Sequence, residues 1–235
     1  MKKKDKIYEG KAKILYSTDD ANHLICYFKD DATAFDNTKK GTIVDKGIMN
    51  NAISSKIFQK LAENKVPNHF VEKLSDREML VKKLQMLPIE VLIRNVVAGS
   101  LSKRYNIPEG TPLKKTILEY CYKDDSLHDP QANEDHLLVF GWCNEQQLIN
   151  IKNYSLKVND FLVNFFDLLG IRLIDFKLEF GLFKGEVFLG DEITPDGCRL
   201  WDKKTGEKLD KDRFRRDLGG VEEAYQVVTK KVCES

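Results

Sequence analysis

The segment LIDFKLEFG, residues 173–181, alternates in the way that is typical of a strand with two unlike faces. One face carries only apolar side chains, those of Ile174, Phe176, Leu178 and Phe180. The other face carries Asp175, Lys177 and Glu179. Side chains two residues apart in a strand point to the same side. The pattern therefore predicts a sheet with an acid, a base and an acid in line, which is either a solvated surface or a binding site.

A hairpin return follows this strand, with a turn at Lys184 and Gly185. Loop length decides which residues face each other. A two-residue loop sets Glu179 opposite Gly190, whereas a loop of three or five residues sets Glu179 opposite Asp191. In the second register two carboxylates lie side by side, and they repel unless a cation separates them. Magnesium suits that position, because it takes one or two carboxylates together with phosphate oxygens.

The composition is that of a soluble globular protein that buries a sizeable core. The 235 residues are 42% hydrophobic and 32% charged, and the formal net charge is +1. A charge so close to zero gives no general attraction to nucleic acid or to a membrane. The basic N-terminus has no apolar run after it, and the five cysteines are scattered without a C-x-x-C pair. We therefore expect a cytoplasmic protein with free thiols.

Strands dominate the first third of the chain. Residues 6–17, 23–28, 68–74 and 78–87 are predicted strands, and residues 47–64 a helix with apolar side chains at helical spacing. Pro88 is predicted to interrupt the strand character, which resumes at residues 89–97. We place a boundary here and expect an N-terminal lobe of residues 1–86 and a C-terminal lobe of residues 87–235.

The second lobe mixes helices and strands, so the predicted class is α+β. Residues 144–170 form the longest helix candidate: Asn144 is placed to cap it, Gln147 to complete a capping box and Gly170 to end it. Two helical pieces close the chain, separated at Gly219 and Gly220.

Three further segments carry candidate anion sites. Lys11 and Lys13 are two residues apart, hence on one face of a predicted strand, and Gly10 permits close backbone approach. Arg94 precedes Gly99 and Ser100 at the start of a short helix, a combination that suits phosphate. The late basic residues are Arg199, Lys211, Arg213, Arg215 and Arg216, of which Lys211 and Arg215 share a helix face. A solvated surface is the alternative for each segment.

The motifs YEGKAK, PIEVLIRNVVAGSLSKRY, HDPQANEDH, DFKLEFG, GDEITPDGCRLWD and DKDRFRRDLGG occur in this order along the chain. Together they closely resemble the bacterial phosphoribosylaminoimidazole-succinocarboxamide synthase (SAICAR synthetase) family, over essentially the whole chain. The resemblance implies a two-lobed, kinase-like α+β fold with ATP in the cleft. It also implies a ligase of purine biosynthesis that uses ATP to join carboxyaminoimidazole ribonucleotide to L-aspartate and releases ADP and phosphate.

The resemblance also assigns residues. Implied metal ligands for Mg²⁺ are Glu179 and Asp191, and implied catalytic residues are Asp175 and Lys177. Implied nucleotide-binding residues are Lys11, Ala12, Lys13, Val81, Lys82, Leu84 and Lys123, with residues 81–84 as the linker whose backbone receives adenine. Implied substrate-binding residues are Asp36, Arg94, Gly99, Ser100, Asp129, Arg199 and Arg215.

Two other functions remain open at this point. A small-molecule kinase would stop at phosphoryl transfer, and a nucleotide- or RNA-binding module would use the basic segments without catalysis. The near-zero charge opposes the second, as does the absence of interleaved aromatic and basic residues on one strand face. The family resemblance leads us to expect small-molecule substrates and a homodimer.

Overall fold

The structure, a computed structural model, describes residues 1–34 and 38–235, which form an α+β fold with three sheets. The strands are β1 (Lys3–Glu9), β2 (Lys13–Thr18), β3 (His23–Phe28), β4 (Asp31–Ala34), β5 (Lys39–Thr42), β6 (Phe70–Lys73), β7 (Glu78–Lys82), β8 (Gln85–Val96), β9 (Pro112–Tyr122), β10 (Gln131–Ala132), β11 (Ile171–Phe183), β12 (Glu186–Leu189) and β13 (Cys198–Asp202). The helices are α1 (Lys46–Glu63), α2 (Gly99–Tyr105), α3 (Glu134–Val139), α4 (Glu145–Leu168), α5 (Asp212–Arg215) and α6 (Val221–Cys233), with a 3₁₀ turn at Asp125–Leu127.

All three sheets contribute residues to the cleft, the third being the pair β4-β5. The first has five strands in the order β1-β2-β3-β7-β6, and the second has the order β10-β9-β8-β11-β12, with β13 also paired to β11. Strand β8 begins at Gln85 and crosses the position at which we placed the boundary between lobes. The division into residues 1–86 and 87–235 stays a prediction.

The larger core lies between the second sheet and three helices. It contains Ile57 from α1, Phe166 from α4, Val228 from α6 and Phe176 from β11, all nearly or fully buried. A smaller cluster fills the first sheet, with Phe28 and Met79 among its members. Of the apolar face predicted for residues 173–181, Phe176, Leu178 and Phe180 face the larger core, whereas Ile174 joins a separate small cluster with Trp201, because the pairing of β11 with β13 is irregular there.

The capping signals of the long helix are confirmed. The Asn144 side chain accepts from the Gln147 N–H at 2.9 Å, and the Gln147 side chain accepts from the Asn144 N–H at 2.9 Å. Gly170 follows the C-cap with φ of 70°. Each bond satisfies an N–H that the first helical turn leaves without a partner, so these residues fix where α4 begins.

Three predictions about strands are wrong. Residues 78–87 are not one strand: β7 ends at Lys82, and β8, which belongs to the second sheet, begins at Gln85. Residues 6–17 are not one strand: β1 and β2 pair as a hairpin, and Lys11 lies in the bend between them. Pro88 does not interrupt a strand but lies inside β8. The pairing of β8 with β11 is irregular between Met86 and Glu90, so the N–H that proline lacks falls where the ladder is already broken.

The cysteines agree with the expectation of free thiols: Cys233 is exposed and the other four are buried. Within residues 1–34 and 38–235, no helix is both long enough and apolar enough to cross a membrane.

Candidate active site

A cleft of about 1480 Å³ opens between the first and second sheets. The first sheet contributes apolar side chains to its lining, including Leu15, Leu24 and Val81. The second sheet contributes the charged face of β11, with Asp175, Lys177 and Glu179. The charged line that the sequence predicts therefore faces a cavity and not bulk solvent.

The residues predicted to bind a nucleotide all line this cleft. They are Lys11, Ala12, Lys13, Val81, Lys82, Leu84 and Lys123. Two of the lysines diverge because Lys11 belongs to a bend: Lys11 Nζ lies 2.9 Å from Asp125, whereas Lys13 bonds Asp191. The linker amides of Lys82 and Lys83 already donate to carbonyls of His69 and Asn22, at 2.7 and 2.8 Å. Those two N–H groups are therefore not available to a ligand.

Three lysines and a group of acids meet at the centre of the cleft. We call this group the lysine cluster; it consists of Lys13, Glu90, Lys123, Lys177, Glu179 and Asp191. Lys177 Nζ lies 2.6 Å from Glu179 Oε1, 3.4 Å from Asp191 Oδ2 and 3.5 Å from Glu90 Oε2. Lys13 bonds Asp191 and Lys123 bonds Glu179. Lys177 thus stands between the two carboxylates predicted as metal ligands.

Asp191 reaches the lysine cluster through a backbone conformation that the sequence pattern did not predict. Lys184 and Gly185 form a two-residue loop with φ of 52° and 87°, so Glu179 lies opposite Gly190 and not Asp191. Regular continuation of the strand would point Asp191 away from Glu179. Asp191 instead has φ of 56°, a left-handed conformation that redirects its side chain into the cleft. The register with facing carboxylates is wrong, yet the two side chains do meet at one lysine.

Asp191 and Lys13 remain charged because each stabilises the charge of the other. Burial opposes ionisation of Asp191, but Lys13 and Lys177 outweigh it and hold the pKa of Asp191 far below its usual range. Burial would likewise lower the pKa of Lys13, but Asp191 raises it well above normal. Glu90 differs, because burial raises its pKa despite the opposing charge of Lys177.

A second group contains the guanidinium side chains. We call it the arginine cluster; it consists of Arg94, Ser100, Glu119, Asp175, Arg199 and Asp212. Arg94, only 2% exposed, donates from Nε to Glu119 at 2.5 Å, from Nη1 to Asp175 at 3.1 Å and from Nη2 to Ser100 Oγ at 3.0 Å. Arg199 donates to Asp175 at 2.9 Å and to Asp212 at 3.0 Å. Asp175 therefore orients both arginines.

Glycine is required where α2 begins beside this cluster. Gly99 has φ of 53°, and a Cβ at that position would lie 2.5 Å from the Arg199 guanidinium. Gly99 and Ser100 are thus adjacent to the arginines rather than part of the cleft lining, whereas Arg94 and Arg199 line the cleft itself.

The remaining wall, which we call the Lys211 wall, consists of Lys211, Arg215, Asp196, Lys46 and Tyr225. Lys211, Arg215 and Asp196 line the cleft. Asp196 accepts from Lys46 Nζ at 2.6 Å and from the Tyr225 hydroxyl at 2.5 Å. The other two arginines of this segment are not part of the Lys211 wall: Arg213 bonds Glu207, and Arg216 bonds Glu109 at 2.9 Å.

Two predicted substrate residues remain. Asp129 lines the cleft, and its side chain accepts the Asp124 N–H at 2.9 Å. Asp36 lies outside the described residues.

Sequence reasoning missed the lining residues Glu90, Glu192 and Asp196, and also Lys46, which is buried behind Asp196. Glu90 had a signal, because it shares strand parity with Arg94 on β8 and therefore faces the same side. No sequence signal identified Asp196 or the fully buried Lys46, because the two are 150 residues apart and only the fold brings them into contact.

The donor set suits a hard divalent cation that arrives with a ligand. Among the described residues no group of three or more acidic, histidine or cysteine side chains could hold a metal by itself. Glu179 and Asp191 nevertheless offer carboxylate oxygens to one point of the cleft, each within 3.4 Å of Lys177 Nζ. Magnesium commonly takes one or two carboxylates and completes its shell with phosphate and water oxygens, and this arrangement fits that habit.

Comparison with known proteins gives concordant results. A family model described as SAICAR synthetase matches residues 6–232. A phosphoribosylaminoimidazole-succinocarboxamide synthase of Clostridium kluyveri is 54% identical over 235 residues, 100% of both chains. The solved synthase of that name from Ehrlichia chaffeensis is 50% identical, with a TM-score of 0.96 over 97% of this chain and 98% of that one. A SAICAR synthetase solved in complex with ADP is 46% identical, with a TM-score of 0.94 over 97% of each chain.

Proposed function

The chain belongs to the SAICAR synthetase family, and we propose that the cleft between its two sheets is where the family's ligation takes place. The protein is an ATP-dependent ligase of purine biosynthesis. It joins the carboxylate of carboxyaminoimidazole ribonucleotide to the amine of L-aspartate and gives SAICAR, ADP and phosphate. The observation that carries the assignment of the site is the meeting of Glu179, Asp191 and Lys177 at one point of the cleft.

The chemistry explains why this cleft offers charges instead of a nucleophilic side chain. A carboxylate is a poor electrophile, because its oxygen is a poor leaving group. Transfer of the γ-phosphoryl group of ATP to that oxygen releases ADP and gives an acyl phosphate. The amine of aspartate attacks the acyl carbon, the carbon–oxygen bond to phosphate breaks, and the amide forms with loss of a proton from nitrogen. Phosphoryl transfer needs mainly positioning and charge neutralisation.

The first sheet is the proposed nucleotide wall. Leu15, Leu24 and Val81 give an apolar surface for the base, while Lys11, Lys13 and Lys123 stand at the charged end, where phosphates would lie. The relative solved in complex with ADP supports nucleotide binding.

Glu179 and Asp191 are the proposed ligands of Mg²⁺. The ion, when bound, neutralises phosphate charge and polarises phosphoryl oxygen. Lys177, partly exposed at 30% and bonded to Glu179, points its ammonium group to the same place and stabilises the charge of the transferred phosphoryl group.

The arginine cluster is the proposed site for the phosphate of the ribonucleotide. Arg94 and Arg199 are held in place by Asp175, so the donors they have left are oriented before a ligand arrives. Asp175, predicted from the sequence as catalytic, takes a positioning role in this proposal. Asp129 is the proposed contact for the sugar, since it lines the cleft on the same side as Lys123.

The finer statements about assembly and location are proposals as well. We expect a homodimer in the cytoplasm, with no binding of nucleic acid or membrane. Sedimentation of the purified protein tests the first expectation, because a monomer at micromolar concentration contradicts it.

An ADP-release assay with the ribonucleotide and MgATP, run with and without L-aspartate, tests the function. A ligase forms SAICAR and ADP in equal amounts, and its turnover depends on aspartate. Full-rate ADP release without aspartate would identify a small-molecule kinase. Absence of turnover in all mixtures, with nucleotide still bound, would identify a binding module.

A further inference from the structure

Lys211 is a charged side chain of the cleft wall to which the proposed function gives no part. Its side chain is only 12% exposed. Among the described residues its ammonium group has one ionic neighbour, Asp196 Oδ2 at 3.9 Å, and no hydrogen bond. An ammonium group carries three donors, and a buried charge that lacks hydrogen bonds costs free energy. Lys211 is therefore poised to receive an anion from the cleft.

Asp196 is too far from Lys211 Nζ, at 3.9 Å, to accept a hydrogen bond from it. It already accepts from Lys46 at 2.6 Å and from Tyr225 at 2.5 Å, and both of these side chains are fully buried. Burial lowers the pKa of Lys211, with Asp196 only partly compensating. A carboxylate bound at Lys211 would restore the lost charge stabilisation.

The position of Lys211 relates it to the reacting groups. The Lys211 N–H donates to the Pro195 carbonyl at 3.1 Å, and the Gly197 carbonyl accepts from the Lys177 N–H at 3.1 Å. The Lys177 side chain passes Gly197 closely, since a Cβ there would lie 3.5 Å from Lys177 Cγ. Residues 195–197 thus connect the Lys211 wall to the centre of the cleft.

The Lys211 wall is separate from the arginine cluster. Asp212 stands between them, with Oδ2 accepting from Arg199 at 3.0 Å and Oδ1 accepting from Arg215 at 2.7 Å. Arg215 also reaches the Asp196 carbonyl at 3.4 Å and lines the cleft beside Lys211. Two cations therefore border a space beyond the proposed phosphate site.

We propose that Lys211, with Arg215 beside it, binds a carboxylate group of the amino-acid substrate, L-aspartate. The inference rests on the proposed function, in which aspartate delivers its amine near Lys177. Aspartate carries two carboxylates besides that amine, so at least one of them needs a cation in a site that excludes water. Lys211 makes the site selective for acidic amino acids over neutral ones.

Steady-state kinetics of Lys211→Gln test the proposal. We expect the KM for L-aspartate to rise about ten- to a hundredfold, the range of a lost charged hydrogen bond. The KM for ATP and for the ribonucleotide should stay within about twofold. Lys203→Gln is the matched control, because Lys203 pairs with Asp167 on the exposed surface and does not line the cleft.

An unchanged KM for aspartate overturns the inference, and so does an equal rise for the ribonucleotide. Wild-type protein without aspartate-dependent turnover would instead overturn the proposed function. If Lys211→Gln does not fold, as judged by its melting transition, Lys211→Arg replaces it. That variant keeps the charge, so a moderate rise confined to the KM for aspartate supports the proposal and any other pattern overturns it.

The amides of aspartate add a second readout. L-asparagine lacks the β-carboxylate and aspartic acid α-amide lacks the α-carboxylate. Only one of these amides lacks the carboxylate that Lys211 binds. For that amide we expect wild type and Lys211→Gln to have the same affinity, measured by competition against aspartate. Equal additional losses for both amides overturn the proposal.

Discussion

The arginine cluster and the lysine cluster face the same cleft but are built differently. Arg94 and Arg199 are planar forks, and each is held by two acids. Those of Arg94 lie on the two neighbouring strands, those of Arg199 on β11 and at the start of α5, and Arg94 also donates to a hydroxyl. Lys13, Lys123 and Lys177 are single ammonium groups that share acids, so that Lys177 faces three carboxylates at 2.6 to 3.5 Å. The arginines keep one geometry, whereas the lysines have alternative partners within reach.

The difference fits the two ligands that we propose. A sugar phosphate that is only held favours preoriented bidentate donors. A phosphoryl group that moves between substrates needs charges that can follow it, and an ammonium group on a flexible stem can exchange an acid for a phosphate oxygen. The comparison predicts that loss of a charged side chain lowers the rate in the lysine cluster and lowers ligand affinity or stability in the arginine cluster.

The largest effect should come from the proposed metal ligands. We expect Glu179→Gln and Asp191→Asn each to reduce kcat about a thousandfold or more, because each removes a ligand of an ion that supplies several kcal/mol of charge stabilisation. The measurement is turnover against MgCl₂ concentration, together with binding of Mg²⁺-ADP by calorimetry. Calorimetry should show weaker magnesium-dependent binding with nucleotide binding in EDTA retained. Near-normal turnover in either variant, or full wild-type activity in EDTA, would contradict the assignment.

Arg94→Ala should give the next largest effect. We expect the KM for the ribonucleotide to rise about ten- to a hundredfold, while the KM for ATP changes little. The substitution also removes one of the two arginines that bond Glu119 and Asp175, which keep Arg104 at 2.7 Å and Arg199 at 2.9 Å, so we expect a cost of about 1–3 kcal/mol in the free energy of unfolding. Denaturant titration measures the second quantity.

Arg94→Lys sharpens the same test. A lysine keeps the charge but cannot bond Glu119, Asp175 and Ser100 in one plane, so it should recover little of the ribonucleotide affinity. Full recovery by lysine would show that charge alone matters here and would remove the distinction between the clusters. An effect confined to ATP would misplace the phosphate site.

Much of the fold could be predicted because local signals were strong. The alternation at residues 173–181 predicted the faces of β11, and Asn144 with Gln147 predicted the start of α4. The bend at Lys11 was missed because a short turn between strands of similar composition leaves the period of two almost undisturbed. Pro88 was misjudged because its tolerance depends on an irregular partner strand, which local sequence does not specify.

The site was predicted less completely, for a related reason. Residues on one strand were grouped by parity, and the family resemblance supplied the rest. Pairs such as Lys46 and Asp196 are joined only by tertiary packing. The left-handed conformation of Asp191 has no pattern that identifies it, since aspartate also adopts ordinary strand geometry. The sequence therefore predicted which charged side chains face the cleft, but it predicted less well which of them are in contact with each other.

A pH effect of intermediate size should come from Asp210, beside the arginine cluster. Its carboxylate accepts backbone N–H groups of Leu200 and Asp212, and burial raises its pKa to about 7. Below about pH 4 the folded and unfolded states both hold this proton. Between about pH 4 and 7 only the folded state holds it, so this group's contribution to stability falls as pH rises, by at most about 1.4 kcal/mol per pH unit.

Denaturant midpoints of wild type and Asp210→Asn between pH 4 and 8 measure this contribution. The stability difference between the two proteins should change across that window and level off above pH 7. Asp202→Asn is the matched control, because Asp202 also accepts two backbone N–H groups but is only partly buried and has a lowered pKa. A pH-independent difference for Asp210→Asn would show that its pKa is ordinary.

The smallest effect concerns a charge pair at the rim of the cleft. Lys11 Nζ lies 2.9 Å from Asp125, and the two side chains are 44% and 72% exposed. An exposed pair contributes at most about 1 kcal/mol, so Asp125→Asn should hardly change stability. If Lys11 exchanges Asp125 for a nucleotide phosphate, as the lysine cluster suggests, the variant frees Lys11 and lowers the KM for ATP slightly, by about twofold.

The double variant decides whether Lys11 carries that effect. Lys11→Ala alone should raise the KM for ATP, and adding Asp125→Asn to it should change nothing more, because the lysine that Asp125 competes for is gone. Added salt should shrink the difference between wild type and Asp125→Asn, since both groups are exposed to solvent. Additive effects of the two substitutions would mean that Asp125 acts on the nucleotide by itself, and the exchange of partners that distinguishes lysines from arginines would not extend to the rim.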